Sequence, residues 1–145
     1  MLRDNHRNDA YSKAITEAVR EFRTTRGRAP IVLDIGAGTG LLSLIAARAG
    51  AARVIAVEMF EQMAMLASQV TSLNTAPPAV NDYGEPMCDI VLLAKKSTSI
   101  VTGGKLCCYR RYVISIRHQT SPIYNSVVCL CIIGTPNFYQ NTQSI

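Results

Sequence analysis

The sequence predicts an α/β protein with a parallel, Rossmann-like sheet, followed by a tail of different character. Short apolar runs alternate with segments whose apolar residues recur every three or four positions, which gives the order strand, helix, strand, helix, strand after a first helix. Three glycines then lie within residues 36–40, where the first strand passes into a helix and where such sheets bind ligands. We expect the N-terminal, ligand-binding half of this sheet, in incomplete form.

Three helices are predicted from the apolar spacing, over residues 8–22, 41–49 and 60–73. Asn8 or Asp9 is expected to cap the first helix, and Gly50 to end the second. The third helix is expected to bury its methionines and an apolar face that consists of Phe60, Met63, Leu66, Ala67 and Val70. Three buried strands are predicted over residues 30–35, 53–58 and 87–94. Residues 113–116 and 127–133 also have strand composition.

Length and composition favour a single domain. The chain has 145 residues, of which 48% are hydrophobic and 17% are charged. No apolar run reaches the roughly 18 residues needed to cross a bilayer, and the N-terminus lacks the apolar segment of a secretory signal. We therefore expect no membrane partner, a cytoplasmic and/or nuclear location, and reduced cysteines.

The charges divide the chain into two unlike parts. All ten acidic residues lie in residues 1–89, whereas residues 90–145 contain six basic residues and no acidic one. Four of the five cysteines also lie in that second part. Acidic side chains are common on soluble surfaces, so their absence over such a length is unusual. We predict a folded part over residues 1–103 and a divergent, basic tail over residues 104–145.

The glycine stretch has a spacing that favours one kind of ligand. Asp34, Gly36, Gly38 and Gly40 form the pattern Asp-x-Gly-x-Gly-x-Gly, whereas a dinucleotide fingerprint would place its third glycine at Leu41. Nicotinamide binding is therefore disfavoured. Glycines allow positive φ and a close approach of the backbone to a ligand. The pattern suits S-adenosyl-L-methionine, whose amino-acid portion would lie against the turn, with Asp34 ordering the turn and the ligand's ammonium group.

Glu58 provides the second half of this signal. It ends the second predicted strand, and the carboxyl ends of parallel strands meet at one edge of the sheet. A carboxylate there can accept hydrogen bonds from both ribose hydroxyls of a nucleoside. We predict that Glu58 binds the ribose of the cofactor.

Several motifs together carry a family resemblance. They are the opening Met-Leu-x-Asp-x-x-Arg pattern, residues 32–43 (VLDIGAGTGLLS), Ala49-Gly50-Ala51, Val57-Glu58-Met59-Phe60 and Lys96-Ser97-Thr98. Through them, residues 1–103 resemble the start of the catalytic core of the protein arginine N-methyltransferase family, a class I methyltransferase fold. The resemblance implies S-adenosyl-L-methionine as the cofactor and protein arginine as the substrate. It also implies that Arg7 pairs with the cofactor's carboxylate and that Ser97 and Thr98 contact its adenine.

The same resemblance also indicates that acidic residues needed for catalysis are missing. The family holds the substrate guanidinium with two glutamates on a loop after the fourth strand, but residues 90–145 contain no acidic residue. No catalytic residue is therefore assigned. The chain is expected to be a truncated or divergent member, weak or inactive alone, which another chain or self-association could complete. The alternative is a non-catalytic binding protein on a methyltransferase scaffold.

The tail allows two other interpretations. Cys107, Cys108, Cys129 and Cys131, with His118, could ligate zinc, but their spacings are not those of common zinc modules, and no metal site is predicted. The six bases of residues 90–145, with Tyr109 and Tyr112 between them, could bind RNA. Six bases without a motif are more often a solvated face. Strand edges left open by an incomplete sheet also predict self-association.

Overall fold

The protein's computed structural model describes residues 4–95 and 129–133, and for residues 129–133 the backbone alone. Its elements are α1 (Asn5–Arg26), β1 (Ile31–Ile35), α2 (Leu41–Arg48), β2 (Arg53–Glu58), α3 (Glu61–Thr75), β3 (Ile90–Ala94) and β4 (Cys129–Ile133). The predicted adenine contacts Ser97 and Thr98, and the predicted strand over residues 113–116, lie outside the described residues.

The four strands form one sheet in the order β3-β2-β1-β4. β1 pairs with β2, and β2 with β3, in parallel, so the predicted parallel α/β sheet is confirmed. β4 runs antiparallel to β1, with Cys129 opposite Ile35. Strand composition in residues 127–133 contained no information about direction, so this pairing was not predicted.

The first helix buries the predicted face but begins earlier than predicted. Tyr11, Ile15, Val19 and Phe22 are among its buried residues. Asp4 is the N-terminal cap, since its carboxylate accepts a hydrogen bond of 3.1 Å from the Arg7 amide. The expectation that Asn8 or Asp9 caps this helix was therefore wrong. Both residues lie inside the helix that Asp4 initiates.

The two central strands, β1 and β2, provide the buried apolar residues of the sheet. Val32, Leu33, Val54 and Val57 are almost fully buried, as predicted for strands covered on both faces. β3 is only half-buried and begins at Ile90 rather than at residue 87. The residues before it belong to a loop, in which the amide of Met87 donates a hydrogen bond to Ala79.

The third helix buries only part of the predicted face, which includes Ala67. Ala64, Ala67 and Thr71 are buried, whereas Phe60 is 60% exposed and Leu66 is 44% exposed. The expectation that its methionines fill the core was also wrong for Met65, which is 61% exposed. Only small side chains fit where α3 approaches the glycine turn. The side of α3 that faces the fold is therefore not the side with the largest apolar residues.

A side-chain cluster closes the fold at the amino ends of the parallel strands. Arg23, in the last turn of α1, donates to the Gly50 carbonyl at 2.8 Å and forms an ion pair with Glu85 at 2.9 Å. Its guanidinium lies 4.0 Å from the centre of the Tyr83 ring. Hydrogen bonds from Arg23 and Asn81 lower the pKa of Glu85 below its ordinary value. The cluster joins the loop before β3 to the ends of α1 and α2.

Among the described residues, no helix combines the length and the apolarity that crossing a bilayer requires.

Gly50 is the tightest point of this cluster. Its φ is +93°, and a Cβ placed on it would lie 2.7 Å from the Tyr83 ring. We expect Gly50→Ala to lower the free energy of unfolding by about 1–2 kcal/mol for the left-handed backbone and by about 1–3 kcal/mol more for the collision. Urea denaturation measures this loss.

Gly84→Ala is the matched control for that substitution. Gly84 has a φ of +75°, but a Cβ there would meet nothing within 4 Å. It should therefore show the backbone cost alone. Equal losses for the two variants would contradict close packing at Gly50.

Candidate functional site

A glycine turn, residues 36–40, lies at the carboxyl end of β1. The amides of Gly36 and Ala37 both donate to the Val57 carbonyl, at 2.8 and 3.1 Å, which fastens the turn to the end of β2. Gly36, Gly38 and Gly40 have φ values of +79°, +57° and +83°. Such φ values are rarely adopted by residues with a Cβ, so the backbone path of the turn requires glycine at these positions.

The three glycines differ in what surrounds them. A Cβ on Gly36 would meet nothing within 4 Å, and a Cβ on Gly38 would meet only the Gly36 carbonyl, at 4.0 Å. A Cβ on Gly40 would lie 2.8 Å from Cγ2 of Thr71. Gly36 and Gly38 thus border open space, whereas Gly40 is required by the packing of α3 against the turn. The predicted cofactor contact of Gly40 stays a prediction.

Glu58 lies next to this space. Its side chain is largely buried, and its Oε2 accepts a hydrogen bond of 2.8 Å from the Gly38 amide. Its Oε1 accepts one of 3.0 Å from the Phe60 amide. Each carboxylate oxygen can accept a second hydrogen bond. Glu58 therefore orients the turn and keeps acceptor capacity on both oxygens for a pair of hydroxyl groups.

Asp34 lies beneath the turn and is 1% exposed. Its Oδ2 accepts a hydrogen bond of 2.6 Å from the Ser43 hydroxyl. Burial raises the pKa of Asp34 above its ordinary value, and the negative charge of Glu58 acts in the same direction, while the hydrogen bonds from Ser43 oppose the rise. A buried acid beside an open, glycine-lined space is typical of a functional site.

The structure thus brings together five of the predicted site residues: Asp34, Gly36, Gly38, Gly40 and Glu58. Arg7 lies in the first turn of α1, where its Nε is 3.6 Å from Oδ2 of Asp4. This Nε is buried and has no hydrogen-bond partner within the described residues. The pairing of Arg7 with a cofactor stays a prediction.

Sequence reasoning missed Ser43 and the carbonyl of Val57. Ser43 is fully buried in the first turn of α2 and is a direct partner of Asp34. A serine in an otherwise apolar helical segment, just after the glycine motif, was the signal that could have identified it. Nothing in the sequence indicates the role of the Val57 carbonyl, because that role depends on how β1 and β2 are aligned.

The described residues do not test the zinc hypothesis. Cys107, Cys108 and His118 lie outside the described residues, and only the backbone of Cys129 and Cys131 is described. Over the described segments, no three His, Cys, Asp or Glu side chains are grouped as a metal site.

Comparison with known proteins identifies the class of protein that this fold and site define. The sequence model of the ribosomal protein L11 methyltransferase (PrmA) family matches residues 15–96, more than half of the chain. The chain therefore belongs to this methyltransferase family. S-adenosylmethionine is the cofactor expected for the family, in agreement with the sequence prediction.

Its relatives narrow the resemblance to the arginine enzymes. Protein arginine N-methyltransferase 7 of Danio rerio is 49% identical over 74 residues, which cover 51% of this chain and 11% of that protein. The same-named protein of Gallus gallus is 38% identical over 125 residues, which cover 85% of this chain and 16% of that protein. The predicted resemblance to the protein arginine N-methyltransferase family is confirmed, and both of these relatives are protein arginine N-methyltransferase 7. The chain spans less than a fifth of the length of these relatives.

A solved structure supports the fold. The crystal structure of PRMT6-SAH is similar with a TM-score of 0.52 and 29% identity, over 72% of this chain and 26% of that chain. The predicted class I methyltransferase fold is therefore confirmed.

The buried carboxylate at position 34 should reduce the stability of the fold at neutral pH. Because the pKa of Asp34 is raised in the folded protein, the folded state binds more protons than the unfolded state between the ordinary pKa and the raised one. Stability from this group is present in acid and falls as the pH rises through that window. We expect Asp34→Asn, which can still accept the Ser43 hydrogen bond, to be more stable than the parent at neutral pH.

Urea denaturation between about pH 4 and about pH 7 measures the difference. The advantage of Asp34→Asn should shrink towards the acidic end. A variant that is less stable than the parent at neutral pH would contradict the cost assigned to this carboxylate.

Proposed function

We propose that this chain binds S-adenosyl-L-methionine at the glycine turn, as the cofactor-binding part of a protein arginine N-methyltransferase-like protein. The observation that carries the proposal is the open space beside Gly36 and Gly38, next to which the Glu58 carboxylate accepts a hydrogen bond from the Gly38 amide. A ligand that combines an amino-acid group with a ribose suits this arrangement, because it needs a close backbone approach at one end and a pair of acceptors at the other.

The residues present fit the cofactor. The remaining lone pairs of the Glu58 carboxylate suit the two ribose hydroxyls, and the backbone at Gly36 and Gly38 leaves room for the amino-acid portion. The buried Nε of Arg7 lies 3.6 Å from the Asp4 carboxylate but has no hydrogen-bond partner within the described residues, which supports a role in binding the ligand's carboxylate. Contacts of Ser97 and Thr98 with the adenine complete the proposed set.

We propose that this chain alone transfers methyl groups weakly or not at all. The cofactor supplies a methyl group on a positively charged sulfur. Transfer to arginine also requires carboxylates that hold the guanidinium and concentrate electron density on the attacking nitrogen. Residues 90–145 contain no Asp and no Glu that could do this after β3. Glu58 already accepts a hydrogen bond from the turn, and Asp34 accepts one from Ser43.

A completing chain is the proposed route to activity. Within the described residues, β4 pairs with β1 on one side of the sheet, and β3 forms the edge on the other side. Strand edges pair readily with other chains. The edge of β3 is therefore the proposed place for self-association or for a completing chain. Protein arginine is the proposed substrate of the completed protein, in the cytoplasm or nucleus.

The second candidate function is a cofactor-binding protein without catalysis. It is favoured by the same acid-free, basic composition of residues 90–145, which would also suit an acidic partner such as RNA. Both candidates require cofactor binding, and they differ in whether arginine is methylated.

Cofactor binding is measured by calorimetric titration of the purified chain with S-adenosyl-L-methionine. We expect saturable binding that Gly36→Val abolishes, because the new side chain fills the open space. Gly84→Val is the matched control, since Gly84 also has positive φ and open surroundings but lies in the loop before β3. A folded parent chain that shows no binding would overturn the proposal.

Glu58→Gln tests the ribose contact in the same titration. The substitution keeps the size of the side chain but replaces one acceptor oxygen with a donor, so affinity should fall about tenfold or more. Glu61→Gln, an exposed change in the first turn of α3, should leave affinity unchanged. Equal affinities for both variants would contradict the role of Glu58.

Activity is measured by transfer of labelled methyl from the cofactor to an arginine-rich peptide. At high protein concentration we expect no labelling above background, although the same preparation binds the cofactor. Labelling that Gly36→Val abolishes and Gly84→Val does not would contradict the proposed inactivity. It would also exclude the non-catalytic candidate.

A further inference from the structure

A buried hydrogen bond joins the two elements on either side of the glycine turn. Ser43 of α2 donates to Asp34 of β1 at 2.6 Å, and the five residues of the turn lie between these two elements. Ser43 is fully buried and Asp34 is 1% exposed. The bond is therefore shielded from water and connects β1 directly to the first turn of α2.

Stability does not account for this pair. Burying a carboxylate is costly even when it is hydrogen-bonded, and replacing both partners of a buried polar pair with apolar groups is often neutral or stabilising. Val32, on the same face of β1, and Ala56, opposite Asp34 in β2, are fully buried apolar residues, so the surroundings of Asp34 accept such groups. A costly polar pair retained directly beneath the open space points to a role in ligand binding.

We propose that Ser43 is a positioning residue for cofactor binding: its hydrogen bond to Asp34 fixes α2 against the end of β1 and so holds the glycine turn in the shape that receives the ligand. The inference rests on the proposed function. On its far side, the turn is held by the Val57 carbonyl and by Glu58. Ser43 and Asp34 form the side-chain link on the near side. Without it, α2 and the turn can shift away from β1.

The same bond also determines the charge beneath the turn. Burial and the neighbouring Glu58 both raise the pKa of Asp34, and hydrogen bonds from Ser43 oppose them. An ionised Asp34 attracts the ligand's ammonium group, directly or through water, whereas a protonated one does not. Removal of the hydroxyl should therefore weaken binding and also move its acidic limit, which loosened packing alone would not do.

The test is a series of calorimetric titrations with S-adenosyl-L-methionine on the full chain, from weakly acidic to weakly alkaline pH. Ser43→Ala should raise Kd about tenfold near neutral pH, since a hydrogen bond to a charged group is lost. The pH at which affinity falls on the acidic side should move upward. Thermal unfolding of each variant confirms that it is folded during the titration.

Thr71→Val is the matched control. Thr71 is another buried hydroxyl, close to Gly40, but it donates to Ser68 within α3 and not to Asp34. It should leave both Kd and the pH profile unchanged. Ser43→Cys is a second variant that keeps the side-chain size with a weaker donor, and it should change both in the same direction as Ser43→Ala.

The outcomes separate this inference from the proposed function. If the parent chain binds and Ser43→Ala and Ser43→Cys match it in Kd and pH profile, the positioning role is overturned and cofactor binding stands. If both raise Kd without moving the pH profile, or no more than Thr71→Val does, the role is again overturned. If the folded parent chain does not bind, the proposed function itself fails.

Discussion

The carbonyl oxygen of Val57 is the point on which the site depends. It accepts hydrogen bonds from two successive amides of the turn, those of Gly36 and Ala37, and it can do so only because β1 and β2 are parallel with Ile35 opposite Val57. A shift of one residue in this register would place a different carbonyl at the turn and reverse the faces of β2. Glu58 would then no longer reach the Gly38 amide. Sheet register, turn shape and the position of the candidate ribose acceptor are thus one constraint.

Stability and ligand binding are assigned to opposite ends of the same strands. At the amino ends, Arg23 joins Gly50, Tyr83 and Glu85 in contacts that are all satisfied within the fold. At the carboxyl ends, the turn leaves open space, and burial raises the pKa of Asp34. The core and the Arg23 cluster do not take part in binding. They therefore offset the loss of stability that the buried Asp34 causes. This separation is usual for α/β sheets, where ligands bind beyond the carboxyl ends of the strands.

The sequence predicted what local patterns determine. The apolar runs identified β1 and β2, and the motif identified Asp34, the glycines and Glu58, because each of these signals lies within a few consecutive residues. Contacts between distant segments were not predictable in this way. The predicted burial of Phe60 and Leu66 was wrong because the close approach of Thr71 to Gly40, and not side-chain hydrophobicity, determines which side of α3 faces the turn. The antiparallel direction of β4 likewise depends on a partner strand about 100 residues away in the sequence, as the Ile31 to Ile133 pairing shows.

The three glycines of the motif show why a matching pattern is not sufficient evidence of a function. Gly40 would be required even in a protein that had lost its ligand, because α3 packs against it. No packing contact requires Gly36 to lack a side chain, since a Cβ there would meet nothing within 4 Å. Its positive φ could be relieved by rearranging a turn that had no ligand to receive. Gly36, Gly38 and the buried pair beneath them are therefore features that side-chain packing alone does not explain, and these features, more than the motif as a whole, argue for a working cofactor site.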